Sequence, residues 1–260
     1  MPDIVLHNEM ATKVLNRIDK NISNFISKPA FFFGVMAPDS YMLYRFFLPH
    51  FRKGINKRGA VMHENKCEDL LLELARRSED NEETFSILSG FLCHFALDSV
   101  LHPLINQISN GQAGMHEAIE HALDMRELNN KGQSTGDIVK FFVPYIESKD
   151  LSTAIYKVYG WNDKYYKEAY IHQQIYYRIC SDRFGVLNLL LKHMNGKLSS
   201  VSYHNSKCKL SHLERFDLLI EESIILAEKM IDAAYMFKIR SVEEEYFVDS
   251  IGNRNYLGLL

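Results

Sequence analysis

The stretch FLCHFALDSVLHP, residues 91–103, places three polar side chains among large apolar ones at intervals of four residues. On a helix, His94, Asp98 and His102 would form a single line along one face, because residues i and i+4 are neighbours there. Removing a carboxylate from water costs several kcal/mol unless a partner compensates for it. The line therefore predicts either a polar stripe that faces solvent or a group of side chains that binds something.

Histidine and carboxylate side chains recur at other points of the chain where they could join the same site. The segment MHEAIEHALDMREL, residues 115–128, repeats the spacing of four with His116, Glu120 and Asp124. Three further candidates stand singly upstream: His7, Asp39 and His63. Imidazole and carboxylate groups that converge from separate helices are the ligands of zinc and similar divalent ions. The pattern therefore indicates a possible metal site.

The spacing alone does not distinguish a metal site from ordinary structural roles. A competing pair, Glu117 and His121, has the same spacing on another face of the second segment. Each candidate could also be a hydrogen-bonded core histidine, half of a buried ion pair, a helix cap, part of a turn or a surface side chain. The strongest argument for a bound metal is Asp98, which follows Leu97 on the most apolar predicted helix, where an unpaired carboxylate would be costly.

Helical periodicity dominates the chain, with no convincing strand alternation, internal repeat or low-complexity linker. The pattern predicts helices over residues 4–27, 41–48, 61–77, 82–101, 115–128, 138–159, 163–196 and 210–240. Glycine and proline predict a packed turn over residues 31–41, and a basic loop is expected over 49–60. Asp137, with Ser134 and Thr135, is expected to cap the helix that begins near residue 138.

We therefore predict an all-α protein with a single multi-helix domain of about eight helices over residues 1–260. Residues 1–130 would carry the metal site, and residues 135–260 would form a helical C-terminal half. The tail, residues 241–260, is mixed in composition, and its segment EEEYFVDSI, residues 243–251, is expected to be extended or disordered.

Charge and cysteine usage narrow the possible partners and the compartment. The chain has 30 Lys and Arg against 33 Asp and Glu, so no general basic field favours a stable nucleic-acid complex. No basic segment followed by a long apolar run marks a signal peptide, and no run of about 18 apolar residues predicts a transmembrane segment. We expect a cytoplasmic protein that makes at most peripheral contact with membranes. Its cysteines lack metal or redox spacing and are expected to be free thiols: Cys67, Cys93, Cys180 and Cys208.

In their order along the chain, the candidate residues resemble those of the zinc-dependent phospholipase C family, which is related in fold to the single-strand-specific zinc nucleases. The resemblance covers residues 1 to about 125, and the C-terminal half is similar only in being helical. The matching positions are His7, the GVMAPDS turn with Asp39, His63, CHFALD with His94 and Asp98, His102-Pro103, and HEAIE with His116 and Glu120.

This resemblance implies two or three zinc ions. Asp39, His63, His94 and Asp98 match the ligands of a closely spaced zinc pair, with Asp98 as the bridging residue and Asp39 as a general-base candidate. His102, His116 and Glu120 match a second site. His7 matches a ligand of a third zinc, and Asp124 is expected either to orient a ligand histidine from behind or to be a solvated surface acid.

Secreted relatives complete the third site with their mature N-terminal residue, whereas here His7 follows closely on Met1 and Pro2. The third site therefore depends on whether Pro2 or Asp3 can reach the metal.

The implied activity is hydrolysis of a phosphodiester by metal-activated water, in the manner of a phospholipase C, with cleavage of a phospholipid headgroup as the family substrate. A small-molecule diester is also possible. Two alternatives stay open: an intracellular metal-dependent nuclease or phosphohydrolase on nucleotides, and a non-catalytic helical scaffold that binds metal. The phosphohydrolase type normally carries a His-Asp dipeptide, which this chain lacks. The aromatic segments 31–33, 44–47 and 164–177 are expected to be core, or else to line an apolar substrate cleft.

Overall fold

The structure is a computed structural model that describes residues 4–65, 67–112, 114–182, 186 and 212–259. These residues form eleven α-helices and four short 3-10 helices, with no strand among them. The α-helices are α1 (Ile4–Arg17), α2 (Lys20–Ser23), α3 (Lys28–Met36), α4 (Lys57–Glu64), α5 (Cys67–Ser78), α6 (Glu82–Ser109), α7 (Met115–Asn130), α8 (Lys149–Tyr159), α9 (Tyr166–Cys180), α10 (Leu213–Lys238) and α11 (Glu244–Ile251). The 3-10 helices are Ser40–Leu43, Pro49–Phe51, Thr135–Phe141 and Asp163–Tyr165. The all-α prediction is confirmed.

Several predicted boundaries are wrong because local capping and packing override the helical pattern. The first predicted helix breaks after Arg17, where the side chain of Asp19 accepts the backbone N–H of Asn21 and starts α2. The turn predicted over residues 31–41 is largely helix α3. Pro29 lies in the first turn of α3, where a missing N–H costs nothing.

Further differences lie in the second half of the chain. The expected cap is present as a capping box between Ser134 and Asp137, but it opens a 3-10 helix instead of the long helix predicted over residues 138–159. The tail is not extended over residues 244–251, because Phe247 and Ile251 bury one face of α11. Parts of the helices predicted over 163–196 and 210–240, and Cys208, lie outside the described residues.

Helix α6 is the central element and is buried along most of its 28 residues. It starts at Asn81, whose side chain accepts the N–H groups of Glu83 and Thr84, and it continues through Pro103. A proline inside a helix costs about 3 kcal/mol. The burial of Leu104 and Ile105 in the following turn offsets that cost.

By length and composition α6 could cross a membrane, but its whole apolar window is buried inside the protein, and a core helix passes the same test.

Two glycines bring α3 and α6 into backbone contact. A Cβ atom on Gly34 would lie 2.2 Å from the carbonyl oxygen of Ile87, and one on Gly90 would lie 2.1 Å from that of Phe31. Only glycine permits this approach. The close packing sets the C-terminal end of α3, and the Asp39 turn that follows it, beside the middle of α6, where His94 and Asp98 lie.

Candidate metal centre

Four predicted residues from three parts of the chain converge beside α6. Each of Asp39, His63, His94 and Asp98 offers one ligand atom, and these atoms all lie within 4.8 Å of one another. All four side chains are buried. Asp39 precedes a 3-10 helix without using its side chain to cap it, and His63 lies in the last turn of α4 instead of at the head of a helix. Neither residue therefore has the capping or turn role that the sequence left open.

Three of the histidines are held in the same way, by a hydrogen bond from ring atom Nδ1 to a backbone carbonyl. The acceptors are Gly59 for His63, Val35 for His94 and Tyr256 for His102, each at 2.8 Å. A carbonyl oxygen can only accept, so Nδ1 carries the proton in each ring. When the imidazole is neutral, the lone pair is therefore on Nε2, and this is the tautomer of a histidine that binds a metal through Nε2.

The separations between ligand atoms suit a single ion. Two ligands that are each about 2.1 Å from one tetrahedral zinc lie roughly 3.4 Å apart. The Nε2 atom of His63 is 3.1 Å from Asp39 Oδ1 and 3.6 Å from Asp98 Oδ2. The Nε2 atom of His94 is 3.2 Å from Asp98 Oδ2 and 3.6 Å from Asp39 Oδ1. The residues present therefore fit zinc.

The second oxygen of Asp98 faces a different histidine. His7 Nε2 lies 3.3 Å from Asp98 Oδ1, while Oδ2 faces His63 and His94. The His7 ring stacks on the His94 ring at 4.0 Å between centroids and 7° between planes. Asp98 thus has the geometry of a carboxylate that bridges two positions, as the resemblance implied. Residues 1–3, on which the third zinc site depends, lie outside the described residues.

A second group forms one turn further along α6, from His102, His116 and Glu120. Glu120 Oε1 lies 2.8 Å from His116 Nε2 and 3.6 Å from His102 Nε2. His102 and Glu120 are buried, but the His116 side chain is 28% exposed. The competing residues Glu117 and His121 belong to neither group.

The first group contains a concentration of unsatisfied polar atoms. Six buried atoms there have no hydrogen-bond partner: Nε2 of His63 and His94, and both carboxylate oxygens of Asp39 and Asp98. Both ring nitrogens of the neighbouring His7 also have none. A folded protein normally leaves only a few such atoms per hundred residues, and each costs about 1–3 kcal/mol. A cation bound among the four ligand atoms would account for Nε2 of His63 and His94 and for one oxygen each of Asp39 and Asp98.

The electrostatics of the site also call for positive charge. Burial lowers the pKa of His94, but Asp39 and Asp98 outweigh it and raise that pKa to about 10. Burial favours the neutral forms of Asp39 and Asp98, yet the neighbouring histidines hold both pKa values well below the usual range. Burial and the charge on His94 lower the pKa of His7 to about 4. Without an ion, a proton on His94 therefore supplies the positive charge that the carboxylates need.

The carboxylate of Glu120 in the second group is also held in its charged form. Burial raises its pKa, but hydrogen bonds with His102 and His116 and the charge on His116 lower it to about 2. A negatively charged oxygen thus stands between two imidazoles, as a divalent ion requires.

Asp124 supports His7 through the backbone of α1. It is fully buried, so it is not a solvated surface acid, and its two oxygens accept the N–H groups of Val5 at 2.9 Å and Leu6 at 2.7 Å. A carboxylate at a helix N-terminus satisfies unpaired donors and interacts favourably with the helix dipole. These two hydrogen bonds fix the start of α1, the helix that carries His7. Asp124 therefore positions a candidate ligand through the backbone.

Replacing Asp124 with asparagine should lower the free energy of unfolding by about 2–3 kcal/mol, because an amide cannot accept both buried N–H groups. Urea unfolding in the presence of a chelator would measure this loss separately from metal binding. Asp137→Asn is a suitable control, since Asp137 accepts the backbone N–H of Ser134 at an exposed position, and its loss should be much smaller. Equal losses in the two variants would contradict the role given to Asp124.

Tyr256 and the backbone carbonyls are parts of the site that the sequence did not reveal. The acceptors Val35 and Gly59 are carbonyls of residues with no side-chain signal, and Tyr256 lies in the tail, where the mixed composition gave no expectation for that position. The only related signal in the sequence was Gly34 and Pro38 before Asp39, and Gly34 proves to be a point where α3 contacts α6 closely.

Comparison with known proteins gives one match. No curated protein and no solved structure matches the chain. Residues 6–186, which include every candidate ligand, match the model of the family described as zinc dependent phospholipase C. That match covers more than two thirds of the sequence and agrees with the two buried groups of histidine and carboxylate ligands. The chain therefore belongs to the zinc-dependent phospholipase C family.

Proposed function

We propose that this protein is a zinc-dependent hydrolase that cleaves the headgroup of a phospholipid at its phosphodiester. The observation that carries the proposal is Asp98, whose two oxygens face separate histidines next to the second ligand group. Asp39, His63, His94 and Asp98 would hold zinc in the first group, with His7 on the other oxygen of Asp98. His102, His116 and Glu120 would hold it in the second. Zinc bound there supplies Lewis acidity toward a phosphoryl oxygen and lowers the pKa of water.

Asp39 is the proposed general base. Its Oδ1 faces His63 and His94, where zinc would bind, and its Oδ2 has no hydrogen-bond partner, so Oδ2 could accept a proton from an attacking water. The burial of the first group excludes bulk water and strengthens each electrostatic interaction inside it. The partial exposure of His116 supports an entry for a phosphate on the side of the second group.

The loop over residues 44–56, which follows Asp39, favours a substrate that lies in a membrane. Phe47, Leu48 and Phe51 are 50%, 44% and 56% exposed, although large apolar side chains are normally covered. The guanidinium of Arg52 donates to the backbone carbonyls of Arg45 and Phe46 and so fixes the loop with these side chains outward. Residues 40–63 contain no acidic residue, and Lys53 is exposed. Exposed apolar side chains beside basic ones suit the surface of anionic lipid bilayers.

The double variant Phe47→Ser/Phe51→Ser should bind anionic phospholipid vesicles at least about tenfold more weakly, because two phenyl groups no longer enter the lipid. Its hydrolysis of a soluble diester should not change. Vesicle sedimentation measures the binding, and Leu218→Ser/Ile225→Ser, on the exposed face of α10, is the matched control. Equal vesicle binding by the two double variants would contradict a membrane role for the loop.

The substrate class is tested with zinc-loaded protein on three substrates: phosphatidylcholine vesicles, the soluble diester bis(p-nitrophenyl) phosphate and single-stranded DNA. We expect release of phosphocholine from the vesicles and a slower reaction with the soluble diester. Preferential cleavage of DNA would favour the nuclease alternative. Full zinc occupancy without hydrolysis of any of the three would favour the scaffold.

A further inference from the structure

Residues 252–259, which follow α11, cross α6 beside both ligand groups. This segment lies outside the region that matches the family, residues 6–186. Its central residue, Tyr256, is buried and makes contacts with three of the candidate ligand histidines. These contacts come from a part of the chain for which the family resemblance gives no expectation.

The backbone of Tyr256 joins the two ligand groups. Its carbonyl oxygen accepts a hydrogen bond from His102 Nδ1 at 2.8 Å, and its N–H donates to the carbonyl oxygen of His63 at 3.2 Å. His102 belongs to the second group and His63 to the first. Tyr256 therefore connects the ring of His102, in the second group, to the end of α4, which carries His63 of the first group.

The side chain of Tyr256 lies against two ligands of the first group. Its ring centroid lies 4.6 Å from that of His63 and 5.6 Å from that of His94, and its edge-on contact with Phe95 is at 5.0 Å. The ring is buried and packs the two histidines from one side. A ring of the same shape without the hydroxyl would keep these contacts.

The segment is anchored on α6 at Pro103. Gly258 has φ +70°, and a Cβ atom there would lie 2.4 Å from the carbonyl oxygen of Ser99 and 2.6 Å from Cγ of Pro103. The side chain of Asn255 closes the turn by accepting the N–H groups of Leu257 and Leu259, and its amide donates to the carbonyl of Glu64. These contacts hold the segment against α6, and a residue larger than glycine at position 258 would push it away.

We propose that Tyr256 is a positioning residue of the metal centre. Its carbonyl fixes His102 in the tautomer that presents Nε2 to Glu120, and its ring holds His63 and His94 in place. The proposal rests on the proposed function, because it assumes that these histidines are zinc ligands. Outer partners of ligating histidines typically contribute about 10–100-fold to metal affinity.

Two matched pairs of variants test the proposal through zinc binding, apart from catalysis. Gly258→Val should displace the segment and weaken zinc binding about 10–100-fold. Gly160→Val is its control, since Gly160 has φ +70° and no atom within 4 Å of the added Cβ, so it introduces the same backbone strain in open space. Tyr256→Ala should also weaken zinc binding, whereas Tyr256→Phe, which keeps the ring, should bind zinc like the wild-type protein.

Zinc affinity would be measured by competition with a chromogenic chelator, and the tautomer of His102 by nitrogen-detected NMR, with His102→Gln to assign the signal. We expect the Nδ1-protonated signal of His102 to be lost in Gly258→Val and kept in Gly160→Val. Wild-type zinc affinity and an unchanged His102 signal in both Gly258→Val and Tyr256→Ala would overturn the inference while leaving the proposed function intact. Failure of the wild-type protein to bind zinc would overturn both. If Gly258→Val does not fold, the comparison of Tyr256→Ala with Tyr256→Phe decides the question.

Discussion

Asp98→Asn should abolish zinc binding at the first ligand group and hydrolysis together, with activity at least about 100-fold lower, because even an outer partner of a metal ligand contributes 10–100-fold. The physical reason is that Asp98 serves two positions at once. One oxygen faces His63 and His94, and the other faces His7. An amide offers one neutral oxygen and an NH2 group that cannot bind a cation. Zinc content by mass spectrometry and hydrolysis of the soluble diester measure the two effects.

A control for this variant should remove a buried carboxylate from elsewhere in the protein. Glu73 is buried and paired with Arg77 and Lys157, away from both ligand groups. Glu73→Gln should therefore lower stability but keep zinc content and activity. Asp98 is not a bridging ligand if Asp98→Asn retains the zinc stoichiometry of the wild-type protein.

Removal of zinc should destabilise the protein strongly as well as inactivate it. The first group then retains two buried carboxylates, whose four oxygens have no hydrogen bonds, and two histidines whose Nε2 atoms have none. An ion present at 1,000 times its dissociation constant stabilises the folded state by about 4 kcal/mol. For a chain of this size that corresponds to a fall of roughly 8–16 °C in the unfolding temperature. Calorimetry with and without a strong chelator measures the shift, and readdition of zinc should reverse it.

The same chelator should change the unfolding temperature of Asp98→Asn much less, because that variant has already lost zinc from the first group. An unfolding temperature and an activity that both resist chelation in the wild-type protein would contradict a zinc-dependent site.

The sequence was informative wherever side chains carry the signal. His94, Asp98 and His102 lie on one helix, and their spacing of four predicts their common direction without knowledge of the fold. The order of the other candidates along the chain carried the resemblance, which the family match confirms. The all-α class followed from periodicity, because apolar residues at helical spacing must face a shared core.

The remaining features depend on backbone geometry, for which the sequence gives little signal. Gly34 and Gly90 allow α3 and α6 to touch, but a glycine in the sequence does not reveal which neighbour it admits. The carbonyls that orient the histidines belong to residues of any type. Tyr256 is distant in sequence from every ligand, and its segment has no periodic pattern to place it. Asp124 follows Glu120 by four residues, as a further ligand would, yet its oxygens accept backbone N–H groups at the start of α1.

The most direct test of a multi-zinc centre is anomalous X-ray diffraction at the zinc edge from crystals of the protein grown with zinc. We expect one peak about 2.1 Å from Nε2 of His63 and His94 and from the carboxylates of Asp39 and Asp98, and a second among His102, His116 and Glu120. Well-ordered side chains at these positions without an anomalous peak in either group would contradict a zinc centre in this protein.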